Sequence, residues 1–161
     1  MRNRGLKLAF IALILPCLAI AKSPKKVKQL PTVASITMRR TACMGTCPDY
    51  SISLKANGML TYTGYRFVKD SGIYTKLISS KLSAPIMNKV WQYRLDTCSR
   101  MYESRIADLP GIYYTITYRD SVKQIFNANF GPEFLETIAN DLDKIGLKHD
   151  RTWKKTRRSA K

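Results

Sequence analysis

Tyr50-Ser51-Ile52-Ser53-Leu54-Lys55-Ala56-Asn57-Gly58-Met59-Leu60-Thr61-Tyr62 places alternating apolar and polar side chains on either side of an Asn-Gly step. Period-two alternation marks a strand with one buried face, and Asn57-Gly58 marks a reversal. The pattern also selects the register. A two-residue turn would set Leu54 opposite Thr61 and divide the apolar residues between both faces. A three-residue loop, Ala56-Asn57-Gly58 with Gly58 left-handed, sets Leu54 opposite Leu60 and Ile52 opposite Tyr62. The second arrangement keeps one face apolar and is the one expected.

Outward from this hairpin the chain continues in the same style. Upstream, Val33–Arg40 reads as a first strand, rich in β-branched residues. Downstream, the strand 59–68 turns at Lys69-Asp70-Ser71-Gly72 into another at 73–78. A helix follows, with Ser83 as N-cap, Pro85 in its first turn, and Ile86, Met87, Val90 and Trp91 as one stripe. Residues 96–110 form an irregular connection. Two more strands, Ile112–Tyr118 and 122–126, are joined by Arg119-Asp120-Ser121. The last helix has Pro132 at its first position and Phe134, Leu135, Ile138, Leu142 and Ile145 as its apolar face, and Gly146 stops it. The order ββββαββα predicts an α+β fold: an antiparallel sheet of about six strands with two amphipathic helices on one face. Segment 33–146 is long enough to bury a core without staples.

The chain begins with Arg2, Arg4 and Lys7, then an uncharged stretch from Leu8 to Ala21. That stretch is too short for a membrane-spanning helix, which takes ~20 residues. Pro16 interrupts it, and Ala19-Ile20-Ala21 is the small-x-small pattern of a signal-peptidase site. Residues 1–21 are therefore expected to be a signal peptide, and the protein to be exported, periplasmic or secreted. Cleavage leaves no transmembrane span. Lipid attachment at Cys17 is disfavoured by Pro16, which stands where a lipoprotein signal has a small residue.

The whole chain has 28 basic and 11 acidic residues, a formal net charge of +17. Much of this lies on two arms. Residues 22–32 carry Lys22, Lys25, Lys26 and Lys28. Residues 147–161 carry seven basic residues, among them Lys154, Lys155, Arg157 and Arg158, against Asp150 alone. With few apolar residues to offset ordering entropy, 22–32 reads as a flexible linker and 147–161 as a flexible tail. Lys25, Lys26, Lys28, Lys154, Lys155, Arg157 and Arg158 are the candidate contacts for an anionic envelope surface or an envelope protein. A merely solubilising role for the arms is the competing reading. Nucleic acid is disfavoured, because no zinc-finger or RNA-recognition signature accompanies the charge.

The one stretch with chemistry is Arg40-Thr41-Ala42-Cys43-Met44-Gly45-Thr46-Cys47-Pro48-Asp49-Tyr50. Two cysteines four apart cannot bond in an extended chain, but one tight turn brings their α-carbons to ~6 Å, within disulfide reach. Export would leave Cys43, Cys47 and Cys98, an odd number, so a Cys43–Cys47 pair strands Cys98. The run Thr41-x-Cys43-x-Gly45-x-Cys47-Pro48-x-Tyr50 is followed by Gly58 to Tyr62, Gly64-x-Arg66-Phe67-Val68 and Asp108-Leu109-Pro110. Over roughly residues 34–146 it resembles a bacterial exported domain of unknown function. The resemblance implies the α+β domain and supplies no activity.

Three readings of the loop follow: a structural disulfide, a thiol–disulfide switch, or a soft-metal site for Cu(I) or zinc. Cys-x3-Cys-Pro also resembles the copper-handling Sco-type proteins in those residues alone, which implies a distant histidine ligand. The single histidine, His149, lies in the tail. That isolation disfavours Ser-His-Asp and Cys-His catalysis, and no phosphate loop or metal-spaced histidines occur. Asp141 and Asp143 read as a solvated helix face. The leading reading is thus a non-enzymatic binding or structural module of the envelope, without a cofactor. The alternative is a thiol-redox or copper-handling protein using Cys43 and Cys47.

Overall fold

The Asn57-Gly58 hairpin forms in the register that the alternation demands. Leu54 pairs with Leu60 and Ile52 with Tyr62. Gly58 is left-handed, with φ 83°, its N–H donates to the Lys55 carbonyl at 2.9 Å, and Asn57 Oδ1 accepts from the Met59 N–H at 3.1 Å. This is a computed structural model, and it describes residues 32–103 and 109–156. In chain order the elements are β1 (Val33–Arg40), β2 (Asp49–Lys55), β3 (Met59–Arg66), β4 (Gly72–Leu77), α1 (Ser80–Gln92), a short 3-10 turn (Leu95–Thr97), β5 (Met101–Tyr102), β6 (Ile112–Tyr118), β7 (Val122–Asn127), α2 (Glu133–Gly146) and β8 (Lys154–Thr156).

The strands make one open sheet in the order β5-β7-β6-β1-β2-β3-β4-β8. All neighbours are antiparallel except β5 and β7. Successive side chains alternate between faces. Ile36, Met38, Ile52, Leu54, Leu60, Tyr114, Ile116 and Ile125 point to one face and are fully buried. There they meet Ile86 and Val90 of α1 and Leu135, Ile138 and Leu142 of α2 in one continuous core. Each such side chain contributes ~1.5–3 kcal/mol on burial. Tyr114 adds an anchor by donating its hydroxyl to the Leu135 carbonyl at 2.8 Å. α1 lies on β1, α2 lies on β2 and β3, and the helices touch each other. The architecture is α+β, as the element order predicts.

Several details differ from the sequence expectation, each for a physical reason. The sheet gains two short edge strands, which carry too few residues to show periodicity. Phe67, left-handed at φ 54°, ends β3 at Arg66 rather than at residue 68. Ser79, not Ser83, precedes α1; its carbonyl accepts from the Leu82 and Ser83 N–H groups. Ser83 is buried inside the helix, and Pro85 stands at the sixth helical position. Pro132 stands just before α2. Gly146 is not a left-handed stop: a Cβ there would lie 2.4 Å from Ile52 Cδ1, so glycine lets the helix end approach β2.

The largest correction concerns the tail. Residues 147–156 dock on the domain instead of trailing from it. Trp153 is only 9% exposed, and its indole N–H donates to the Lys148 carbonyl at 2.9 Å. β8 adds to the free edge of β4, pairing Thr156 with Ile73 and Lys154 with Thr75. The expected signal peptide 1–21, the linker residues 22–31 and the tail residues 157–161 lie outside the described residues.

Candidate functional site

Leaving β1, the chain makes the cysteine loop and returns as β2. Cys43 and Cys47 are brought to disulfide distance, their α-carbons 5.5 Å apart. The Gly45 N–H donates to Cys43 Sγ at 3.3 Å. Both cysteines are half-buried, and Met44 at the tip is 85% exposed. Beneath the loop, Arg40 reaches α2. It donates to Asp143 at 2.9 Å, to Glu136 at 3.1 Å and to Asn140 at 3.2 Å. The Tyr50 hydroxyl donates to the other Asp143 oxygen at 2.8 Å. Burial opposes the Arg40 charge, but Asp143 and the bonds to Glu136 and Asp143 outweigh it and raise the guanidinium above its ordinary value. Burial, then the bond to Asp143, raises the Tyr50 hydroxyl. Asp143 is therefore no solvated carboxylate: with Arg40 and Tyr50 it ties both ends of the loop to α2.

The remaining sequence-predicted residues scatter. Lys154 and Lys155 belong to β8, where Lys155 Nζ stands 5.3 Å from the Tyr74 ring centroid. Lys25, Lys26, Lys28, Arg157 and Arg158 lie outside the described residues. His149 packs between Tyr62, Tyr74 and Trp153, at ring-centroid distances of 4.5, 4.9 and 4.6 Å. Its Nε2 lies 3.1 Å from the Gly146 carbonyl and its Nδ1 3.1 Å from Asp70 Oδ2. Cys98 is a free, half-buried thiol, which burial pushes above its ordinary pKa. Among the described residues no three His, Cys, Asp or Glu side chains are grouped to hold a metal ion.

What sequence reasoning passed over is the sheet face opposite the helices. Along the middle of that face the cross-strand register aligns Gln124, Thr115, Thr37, Ser53, Thr61, Thr75 and Lys154. Five neighbouring strands thus each offer one hydroxyl, and Thr37 donates to Ser53 at 2.9 Å. The next row runs Met101, Phe126, Tyr113, Arg39, Ser51, Thr63 and Ile73. Arg39 is fixed by two bonds to Asp49, at 3.2 and 3.3 Å, and lies 4.6 Å over the Tyr65 ring. Tyr113 packs on Phe126 with centroids 4.5 Å apart. Shallow depressions follow this row: one lined by Met101, Tyr113 and Phe126, one by Arg39, Tyr65 and Tyr113, and one by Tyr65, Ile73 and Thr156. Shared tyrosines join them into a trough across the sheet. The surface is broad and shallow, suited to an extended ligand rather than to an enclosed reaction.

The model of a domain of unknown function (DUF6438) matches residues 34–146, more than half of the chain. The chain belongs to this family. No curated protein matches it. The DUF6438 match takes in the cysteine loop, both helices and β2 to β7, and stops before the docked segment with His149, Trp153 and β8.

The signal for the open face of this DUF6438 domain lies in the polar half of the alternation. Solvent-facing strand positions commonly carry charges that keep a sheet soluble. Here Ser51-Ile52-Ser53, Thr61-Tyr62-Thr63 and Thr115-Ile116-Thr117 put hydroxyls there instead. The segments are distant in sequence, and only the strand order makes their hydroxyls one row.

Proposed function

We propose that this chain is an exported, non-enzymatic binding module of the cell envelope, with the open sheet face as its working surface and Cys43–Cys47 as a structural staple. The observation that carries the reading is the row of hydroxyls beside an aromatic trough on a face that no element of the described fold covers. Flat, solvent-facing surfaces of mixed hydroxyl, aromatic and cationic character suit extended partners, whereas small-molecule chemistry is usually done in concave sites. Export is supported by the Arg2-to-Ala21 pattern and is compatible with a disulfide in the loop. The mature chain would then start at Lys22, without a lipid.

The test is co-sedimentation of the mature protein with envelope material from its own cell, for wild type and for a Ser53→Glu/Thr115→Glu variant. Both substitutions sit on the open face. The expected result is loss of co-sedimentation at a nearly unchanged melting temperature. Undiminished binding by the folded variant would refute the face as the working surface. An N-terminus other than Lys22 on protein from the envelope fraction would refute the export route. For the alternative, copper or redox work at Cys43 and Cys47, the clamped position of His149 offers no third ligand. Stoichiometric copper lost in a Cys43→Ser/Cys47→Ser variant would nonetheless establish it.

A further inference from the structure

We infer that the ligand of the open face is an acidic polysaccharide, a chain of sugar rings bearing intermittent carboxylates, laid across the strands along the hydroxyl row and the aromatic trough. This rests on the binding reading above and adds the chemistry of the partner. Three independent features converge on it. The first is the hydroxyl row. A Ser or Thr hydroxyl both donates and accepts, as sugar hydroxyls do, and the strands set them ~4.8 Å apart, about the length of one sugar residue. The second is the trough. Tyr65 is 41% and Tyr113 50% exposed, and both present ring surface on which the apolar face of a sugar can lie while polar groups stay wet.

The third feature is charge. Asp49 is the one acidic residue in any of the eight strands; of their eight lysines and arginines, Arg39, Lys55 and Lys154 stand at outward positions, whereas Arg40 turns to α2 and Lys76 to Asp150. Asp49 is buried and held by Arg39. Lys55 and Lys154, at outward positions, have no carboxylate within ion-pair distance among the described residues. The face thus carries two unpaired cations, Lys55 and Lys154, while its carboxylates are paired, Asp49 with Arg39 and Asp96, beside Met101, with Arg94, and it attracts anions. A nucleic acid carries a charge on every nucleotide and calls for cations tracking its backbone. Along the hydroxyl row a cation occurs only at Lys154. A lipid surface calls for a face of protruding apolar side chains beneath a charged rim, and the centre of this row is Thr and Ser.

The experiment is a threonine-methyl and amide NMR titration of the mature chain with four probes. They are partly methyl-esterified polygalacturonate oligomers, whose free carboxylates are intermittent, neutral dextran oligomers, an oligo-dT strand and anionic phospholipid vesicles. The expected result is saturable shifts at Thr37, Thr61, Thr75 and Thr115 with polygalacturonate alone. Tyr113→Ala should weaken the affinity about fivefold, the scale of one lost aromatic contact, and Lys154→Glu should remove most of the salt dependence. Lys154 is outward, so its variant should keep its melting temperature; Tyr113→Ala also loses the packing on Phe126, so its affinity is read well below its lowered melting temperature. Equal binding of dextran would overturn the role of charge. Saturable shifts at this row with oligo-dT or vesicles, and none with polygalacturonate, would overturn the polysaccharide and leave the open face as the binding surface. If no probe shifts the row, the polysaccharide assignment fails. The co-sedimentation of the Ser53→Glu/Thr115→Glu variant then shows whether the binding reading fails with it.

Discussion

At the residue scale, the cysteine loop is held in two ways, and the two are separable. The Cys43–Cys47 bond closes a five-residue ring, which stabilises by about 2 kcal/mol in the chain-entropy picture. A Cys43→Ser/Cys47→Ser variant should therefore fold and lose about that much in denaturant unfolding; failure to fold would mean that the domain depends on the bond. The polar clamp beneath is independent of sulfur. Tyr50→Phe removes a hydroxyl bond to a half-buried carboxylate and should cost about 1.5–3 kcal/mol, leaving the disulfide intact by mass. A change below about 0.5 kcal/mol, the noise of surface substitutions, would show that the clamp is ornamental. The polar helix position of Asp143 predicts a solvated carboxylate. Nothing in the helix pattern reveals that Arg40 and Tyr50, some hundred residues earlier, converge on it.

At the element scale, the long alternating strands and both amphipathic helices were legible, because each states its own buried face. Leu54, Leu60 and Tyr62 alone exclude the wrong hairpin register. The two edge strands were not legible. β5 and β8 have two and three residues and owe their form to backbone bonds offered by β7 and β4. The docking of residues 147–156 escapes the sequence pattern for a related reason. Two apolar residues, Leu147 and Trp153, look too few to order a segment. The free edge of β4 and the Tyr62–Tyr74–His149 ring cluster supply the rest. Lys154 and Lys155 at the new edge also discourage pairing with another chain. Ending the chain at Gly146 should therefore lower the melting temperature markedly, and Trp153→Ala alone should cost about 3 kcal/mol. An unchanged melting temperature for both would mean that the tail contributes nothing to the fold.

At the scale of the whole molecule, the core is unusually rich in tyrosine, and that sets an alkaline limit. Burial raises the hydroxyls of Tyr50, Tyr62, Tyr114 and Tyr118, with Tyr62 and Tyr118 pushed up to about 12. Unfolded tyrosine ionises near pH 10. A raised folded pKa gives stability that is complete below about pH 10 and lost as pH climbs toward 12. Phenolate absorbance should accordingly rise in two stages, the exposed tyrosines first and the buried four only with unfolding; one smooth titration with the fold intact would refute the packing. The same molecule keeps its other sheet face for solvent, and its strands are almost free of acid. Hydroxyl-radical footprinting of the protein on envelope material compares the two faces in one measurement. Protection of Tyr65, Met101, Tyr113 and Phe126, with Met44 still oxidised at the loop tip, is the expected result. Protection of Met44 with Tyr65 and Tyr113 left reactive would contradict it and place the working surface at the cysteine loop.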